Sequence, residues 1–548
     1  MSELETTLRP GVAVPTPITP TSRDSLGTPT PATAKAAVAG DPAAPAVKSS
    51  NRTNAFLSQV FSFPAVLGAL LVGAVFVGAR EFIVDPDLWW HIKVGQNILS
   101  TRGWPTADPY SFTVAGHPWL AYEWLGDVLF GAVARFWGLQ GLEACLLVLG
   151  SAVMLALYTY TTLRTGNPRA GFAASAVLYL LAASSFSLRP QMLGYLFLIL
   201  TLIALERFRQ GKSRALWALL PLFLIWVNTH GSWVIGLGTI VVFWASGLME
   251  MRLGSIEARR WSIAERIRIE SIFLLCLAVL PITPYGTRVS ASPFEYAFNL
   301  PLNVANIKEW QPMPFSLPGG KLFLALLLAF FLLNMARRFR CRLGELVLFV
   351  GGTVMACLHL RFLLVFVPFF APLFATVLAH WMPAYEKGKD RRFLNAVLMA
   401  VVFAAMVRYF PTAAEMRQSV SRQFPVRAVE YLRQHPLPGP MYNTYGYGGY
   451  LIWSLPGHKV FIDGRADVYE RGGAFADYLQ VAKLRPAAFA VLRSYGIQSC
   501  FLRRSEELAT ALSASAEWRQ VYSDDLSVLF VLRKATETPS LGPMPVTP

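Results

Sequence analysis

The stretch richest in potential chemistry is Asp85-Pro86-Asp87-Leu88-Trp89-Trp90-His91. Asp87 and His91 are four residues apart and share a face if the segment is helical. With Asp85 just before them, they could hold a divalent cation such as Mg or Mn, or a carboxylate could take a proton from a hydroxyl. The same residues also suit a plain helix start: Asp85 as N-cap, Pro86 in the first turn, Asp87 at the positive end of the helix dipole. Glu123 stands among aromatics in His117-Pro118-Trp119-Leu120-Ala121-Tyr122-Glu123-Trp124, where an apolar helix begins. Partial burial would raise its pKa and let it keep a proton for a leaving group, whereas an exposed interfacial carboxylate would do neither.

Four more polar groups interrupt apolar sequence. Arg189 precedes Pro190 inside the apolar stretch 170–206. A permanently charged, planar guanidinium there either binds a phosphate or snorkels to lipid headgroups. His230 lies in Asn228-Thr229-His230-Gly231, and His359 and Arg361 in His359-Leu360-Arg361. Each histidine alone reads as a polar contact between helices, but their shared placement with the arginines suggests one substrate-binding surface. Further on, Tyr445-Gly446-Tyr447-Gly448-Gly449-Tyr450 offers glycines for close approach to a ligand and Tyr450 for stacking on a sugar ring. Asp463-Gly464-Arg465, just after the run Lys459-Val460-Phe461-Ile462, reads as a strand end with a turn, either a substrate contact or turn chemistry alone.

The elements that position these groups are membrane spans. Of 548 residues, 54% are hydrophobic and 15% charged, and the mean hydropathy is +0.43. A soluble chain of this length could not hide that much apolar surface. Roughly eleven apolar runs are expected to be spans, the first over 61–79 and the last over 393–410, with 120–137 an interfacial helix in the first outer loop, 80–142. The formal charge of +16 does not point to nucleic acid, because the basic residues cluster in short loops between apolar runs. These are Arg164/Arg169, Arg207/Arg209/Lys212/Arg214, Arg252 to Arg268, Arg337/Arg338/Arg340/Arg342 and Lys387/Lys389/Arg391/Arg392. With this span list all five fall on one side, which the positive-inside rule makes cytoplasmic. Asp85, Asp87, His91, Glu123, Arg189, His230, Glu309, His359 and Arg361 then fall together on the other.

Residues 1–55, rich in Pro, Thr, Ala and Ser, are expected to be a disordered cytoplasmic tail, and 536–548 a second disordered tail. Between 411 and 535 short β-type runs (Lys459–Ile462, Gln498–Leu502, Ser527–Leu532) alternate with helical stretches, which predicts a small extracytoplasmic α/β domain. The five cysteines show no paired spacing and predict neither a disulfide framework nor a thiolate metal site. The fold class expected is therefore a polytopic α-helical membrane domain, 56–410, followed by that α/β domain.

At Asp85-x-Asp87 after the first span, with His91 following in a polar first outer loop, the chain resembles glycosyltransferases of the GT-C type. These include oligosaccharyltransferase catalytic subunits, protein O-mannosyltransferases and bacterial lipid-linked sugar transferases. The resemblance implies a membrane enzyme, expected in a bacterial inner (plasma) membrane, that takes a sugar from a polyprenyl phosphate and passes it to a glycan, lipid or protein acceptor at the extracytoplasmic face. It implies Asp85 and Asp87 as the acidic pair, acting as base or metal ligands, with Arg189 or Arg361 on the donor phosphate; Glu123, from its setting among aromatics, is the third expected catalytic carboxylate. Tyr447-Gly448-Gly449-Tyr450 is loosely similar to the aromatic-glycine acceptor motif of oligosaccharyltransferases but lacks its paired tryptophans and acidic residue. Two other classes fit the same residues: a transporter or flippase for a lipid-linked anion, and a membrane scaffold without activity. An Asp87→Ala protein separates them, since only the enzyme should lose transfer.

Overall fold

The structure is a computed structural model that describes residues 56–81, 83–336 and 339–533. Both expected tails, 1–55 and 536–548, lie outside the described residues. Each of the eleven apolar runs contains a helix, from Phe63–Ala79 to Arg392–Arg408. Among the described residues four helices are long and apolar enough to cross a membrane: Trp124–Thr165, Gln191–Arg209, Pro318–Ala336 and Leu360–Ala379. A fifth span results if Arg392–Arg408 and Ala413–Gln423, bent by 66°, form one broken crossing. The bundle's core is mainly apolar, with Phe223 and Trp226 of Leu219–Val227 and Phe366 and Phe370 of Leu363–Ala379 fully buried. Such packing is what holds helices together where the surroundings are as apolar as the side chains.

Of the stretch 120–137, residues 124–137 are helical. Continuous helix runs from Trp124, but Gly138 takes φ 60° and ψ −149°, a conformation open to glycine and costly for any other residue. The chain turns there before the long apolar helix to Thr165. At the opposite end of the bundle the basic loops meet. Arg164 bonds Glu345 at 2.5 Å and Arg342 bonds Glu206 at 2.5 Å, so loops far apart in sequence share one end. That end also carries a small sheet absent from the sequence reading, β1 (Met251–Leu253), β2 (Ile256–Ala258) and β3 (Cys341–Arg342).

The C-terminal region holds a four-stranded sheet of order β4-β5-β7-β6: β4 Met441–Asn443, β5 Ser499–Arg503, β6 Trp518–Ser523 and β7 Ser527–Leu532. β4 runs parallel to β5, while β7 is antiparallel to both β5 and β6. Two of the three expected strands are β5 and β7. The third expectation is corrected: Lys459–Ile462 is not in the sheet. Its backbone bonds elsewhere, from Val460 N–H to the Tyr110 carbonyl at 3.1 Å, and from Phe112 N–H back to the Val460 carbonyl at 3.2 Å. Asn443 satisfies the rest, its Oδ1 accepting from Phe461 N–H and its Nδ2 donating to the Ile462 carbonyl, both at 2.8 Å. An apolar run looks strand-like wherever it is buried. Here the partner is the first outer loop, so this segment ties that loop to the C-terminal region.

Candidate active site

The helix Asp87–Thr101 carries the first candidates. The N-cap is Pro86, one residue later than expected; Asp85, just before it, accepts the Asp87 N–H through Oδ1 at 2.9 Å. Trp89 is fully buried and makes edge contacts with Phe424 and Tyr450 at 5.1 Å, which fixes the helix against the C-terminal region. Two glycines permit this approach. A Cβ on Gly449 would lie 2.6 Å from the Pro86 carbonyl oxygen, and one on Gly464 would overlap the Asp87 carboxylate. The Tyr445–Ser454 segment is itself a helix. Its glycines therefore serve close approach as expected, but the neighbour is protein.

Asp85 and Asp87 both face Arg189. The guanidinium bonds Asp85 through Nε, reaches Asp87 at 2.9 Å through Nη2, and bonds Glu309 at 2.5 Å through Nη1. Burial pushes the Asp87 carboxyl up to about 7; Arg189 opposes the rise, and Asp85 and Glu309 add to it. This arrangement corrects the metal expectation for Asp85, Asp87 and His91. Both Asp85 oxygens are already engaged, Asp87 is paired to a fixed cation, and His91 turns to other partners. A divalent ion would have to sit beside the guanidinium, and the donor set does not fit one. Among the described residues no group of three His, Cys, Asp or Glu could hold a metal ion.

Across the same cavity stands Glu123, at the start of its helix and largely buried. Burial pushes its carboxyl up to about 8, against the pull of Arg361 and Arg189. It lies 3.7 Å from His91 Nε2 and 3.4 Å from His230 Nε2. Burial first, then neighbouring cations, pushes His230 down to about 3 and His91 well below the usual imidazole range. Both rings are therefore neutral. His91 Nδ1 contacts Asp127 Oδ1 at 2.5 Å, and its Nε2 faces Glu123. A carboxyl and two imidazoles, none of them charged near neutral pH, are thus neighbours on one side of the cavity.

Arg361 differs from Arg189. Among the described residues its guanidinium has no carboxylate within ion-pair reach, and it lies over the Trp310 ring at 4.2 Å. A cavity of about 170 Å³ opens between Asp87, Glu123, Arg189, His230, Glu309 and Arg361. His91 lines it too, so seven of the residues read from sequence meet around one space.

Five others do not line it. Asp85 only bonds Arg189 from beside it. His359 is behind Trp310, its Nδ1 bonded to the Trp310 carbonyl at 2.6 Å. Tyr450 is buried and stacked on Phe424, so it cannot stack on a sugar as expected. Asp463 and Arg465 are sealed in the interior: Arg465 bonds Asp463 at 2.6 Å and Asp108 of the first outer loop at 2.7 Å. They lock the loop to the C-terminal region and do not reach into the cavity. The sequence reading in turn missed Asp127, Tyr122, Tyr296 and Gln191. The Glu123/Asp127 pair at i, i+4 on an otherwise apolar helix was a legible signal. Tyr122 and Tyr296, whose hydroxyls meet at 2.7 Å, gave none.

No protein-family model matches this sequence, and no curated protein does. Solved structures do. The Archaeoglobus fulgidus oligosaccharyltransferase tethered to an acceptor peptide is similar over 87% of this chain and 75% of its own, at 12% identity and a TM-score of 0.51. The same archaeal enzyme, AglB, in complex with an inhibitory peptide and a dolichol-phosphate gives the same coverage and identity at 0.50. ArnT from Cupriavidus metallidurans bound to undecaprenyl phosphate covers 86% of this chain and 98% of its own, at 15% identity and 0.45.

Proposed function

We propose that this chain, whose fold is of the GT-C type, is a membrane glycosyltransferase that moves a sugar from a polyprenyl phosphate to an acceptor at the extracytoplasmic face. The observation that carries the reading is the cavity between Asp87, Glu123 and Arg361. It joins a carboxylate poised near neutrality, a carboxyl that keeps its proton and an arginine without an acidic partner among the described residues. A phosphate diester is what an unpaired guanidinium on an aromatic face is suited to bind. The structural neighbours support the same donor class, since one is in complex with a dolichol-phosphate.

The step would run as follows. The bond between the anomeric carbon and the phosphate oxygen breaks as the acceptor oxygen bonds to that carbon. The acceptor proton goes to Asp87, whose pKa near 7 makes it an effective base at neutral pH. Arg361 stabilises the departing phosphate, and neutral His230 and protonated Glu123 add hydrogen bonds without adding negative charge. No step is routed through a metal. A lipid donor suits the geometry, because its tail can lie among the apolar helices while its head meets the polar end. The membrane is expected to be a bacterial inner membrane, with the acceptor a glycan, lipid or protein.

Purified full-length protein incubated with radiolabelled polyprenyl-phosphate sugars tests this reading. Sugar transfer by the wild type that Asp87→Asn abolishes is the expected result. Absence of turnover with every donor in the pool, or turnover untouched by Asp87→Asn, would sink it.

A further inference from the structure

Asn303 stands on the short helix Pro301–Asn306 of the long outer loop and lines the cavity between Asp87, Glu123 and Arg361. It is 2% exposed, yet among the described residues neither its amide nitrogen nor its amide oxygen has a hydrogen-bond partner. The other amide and hydroxyl groups around this cavity are all engaged. The hydroxyls of Tyr122 and Tyr296 meet at 2.7 Å, Tyr445 donates to the Gly464 carbonyl at 3.1 Å, and Gln191 bonds Tyr195. A buried carboxamide with both ends unpaired costs stability and is rare in native folds. The backbone beside it is well served. Glu470 accepts from the Leu302 and Asn303 N–H groups at 2.7 and 2.8 Å, which fixes this helix to the C-terminal region and leaves its first turn occupied. The helix is held in place while one polar side chain at the cavity stays unmatched.

We propose that Asn303 is a sugar-binding residue, its carboxamide pairing with hydroxyls of a sugar ring held in the cavity. That the ring arrives on a lipid phosphate or an acceptor rests on the glycosyltransferase reading; the unpaired amide does not. Chemistry narrows the ligand. A carboxamide offers donors on its nitrogen and an acceptor on its oxygen. An ionised phosphate only accepts, which leaves Oδ1 unpaired, and a polyprenyl tail satisfies neither end. Neighbouring hydroxyls of a sugar both donate and accept, so one ring serves both ends. The rest of the cavity agrees with this assignment. Arg189 and Arg361 suit the anionic part of a ligand, and Asn303 is the uncharged group available to its neutral part.

The test is equilibrium binding to the full-length protein in detergent, wild type beside Asn303→Leu, which keeps the size of the side chain and removes both polar ends. The probes are polyprenyl phosphate, its glucose, mannose and N-acetylglucosamine conjugates, and maltotriose added with the bare lipid. The wild type should bind at least one conjugate, or maltotriose, with an affinity that Asn303→Leu lowers by about tenfold, the worth of two neutral hydrogen bonds. Affinity for bare polyprenyl phosphate should be the same in both proteins. A loss confined to a conjugate places the contact on the donor sugar, and a loss confined to maltotriose places it on an acceptor sugar. A wild type that gains nothing from any sugar would overturn the proposal. So would an Asn303→Leu protein that keeps the wild-type preference, or one that loses bare lipid as much as conjugate. If Asn303→Leu does not fold, Asn303→Ala removes the same two ends and reads the same differences. These titrations read binding and not turnover. A protein that shows the expected pattern but transfers no sugar keeps the sugar contact and loses only the enzymatic reading.

Discussion

Two arginines, Arg189 and Arg465, each sit among carboxylates, and their difference marks where this protein can act. Arg465 is 1% exposed, with Asp463 and Asp108 fully buried around it. Tyr469 donates its hydroxyl to Asp463 at 2.5 Å, and Trp119 lies 4.6 Å beneath the guanidinium. The cluster is closed, with its Arg465–carboxylate pairs fully desolvated. Arg189 serves three carboxylates from a position open to a cavity, with Glu309 37% exposed. One cluster has its charges matched and its space filled. The other is over-supplied with carboxylate and bordered by Arg361, which lies over Trp310 and has no carboxylate within ion-pair reach among the described residues. Charged residues at a span end therefore do not mark a site by themselves; the imbalance and the adjoining space do.

The sharpest way to break this contrast is to substitute each side in turn. Asp87→Asn, beside the open cluster, should lower sugar transfer by about 10²–10⁴-fold, the usual worth of a general base. It should leave the thermal midpoint in detergent nearly unchanged, because one carboxylate fewer relieves Arg189's surplus. Arg465→Met, in the closed cluster, should do the reverse. It strands two buried carboxylates and should cost about 3–5 kcal/mol of stability, read as a lower thermal midpoint and a collapsed elution profile. Equal activity and stability losses in both variants would erase the distinction.

Arg361→Ala sharpens the comparison at the cavity. Loss of a charge-assisted hydrogen bond of about 1.5–3 kcal/mol should raise the KM for the lipid donor by about 10–100-fold with less effect on kcat. A pure kcat loss would contradict phosphate binding there.

The pH dependence follows from Asp87 near 7 and Glu123 near 8. These groups interact, so the profile reports the pair. Transfer should rise as pH passes about 7 and Asp87 loses its proton, then fall beyond about 8 as Glu123 loses the proton it must keep. Both carboxyls are raised above their unfolded values, so the folded state holds protons that the unfolded chain has released. Stability should therefore decline as pH rises from the ordinary carboxylate range to about 8, and Glu123→Gln should flatten that decline. A flat profile in the wild type would show that neither group titrates there. The smallest effect belongs to Tyr450→Phe. Its ring packs on Phe424 and does not reach the cavity, so transfer and stability should shift by less than about 0.5 kcal/mol.

Much of this was legible in the sequence because the membrane imposes a strong pattern. Every apolar run expected as a span contains a helix, since a backbone in lipid must satisfy its own hydrogen bonds. The grouping of Asp87, His91, Glu123, Arg189, His230 and Arg361 followed from span ends alone, since alternate ends of an antiparallel bundle share a face. The segment Lys459–Ile462 was misread because apolarity reports burial and not the partner, which here is the loop backbone at Tyr110 and Phe112. Tyr450, Asp463 and Arg465 were misread as ligand contacts for a related reason. Aromatic, glycine and charged residues look alike in sequence whether they line a cavity or seal an interface.

The sequence alone determined the membrane class, the helical runs and the end of the bundle at which the polar groups collect, because these depend on composition and short-range order. The tertiary structure alone decided which carboxylates share Arg189, why Asp87 and Glu123 resist ionisation, and that Arg361 remains free while Arg465 does not. Charge pairing and desolvation depend on distances between residues hundreds of positions apart, such as Asp108 and Arg465, and local sequence carries no measure of those distances.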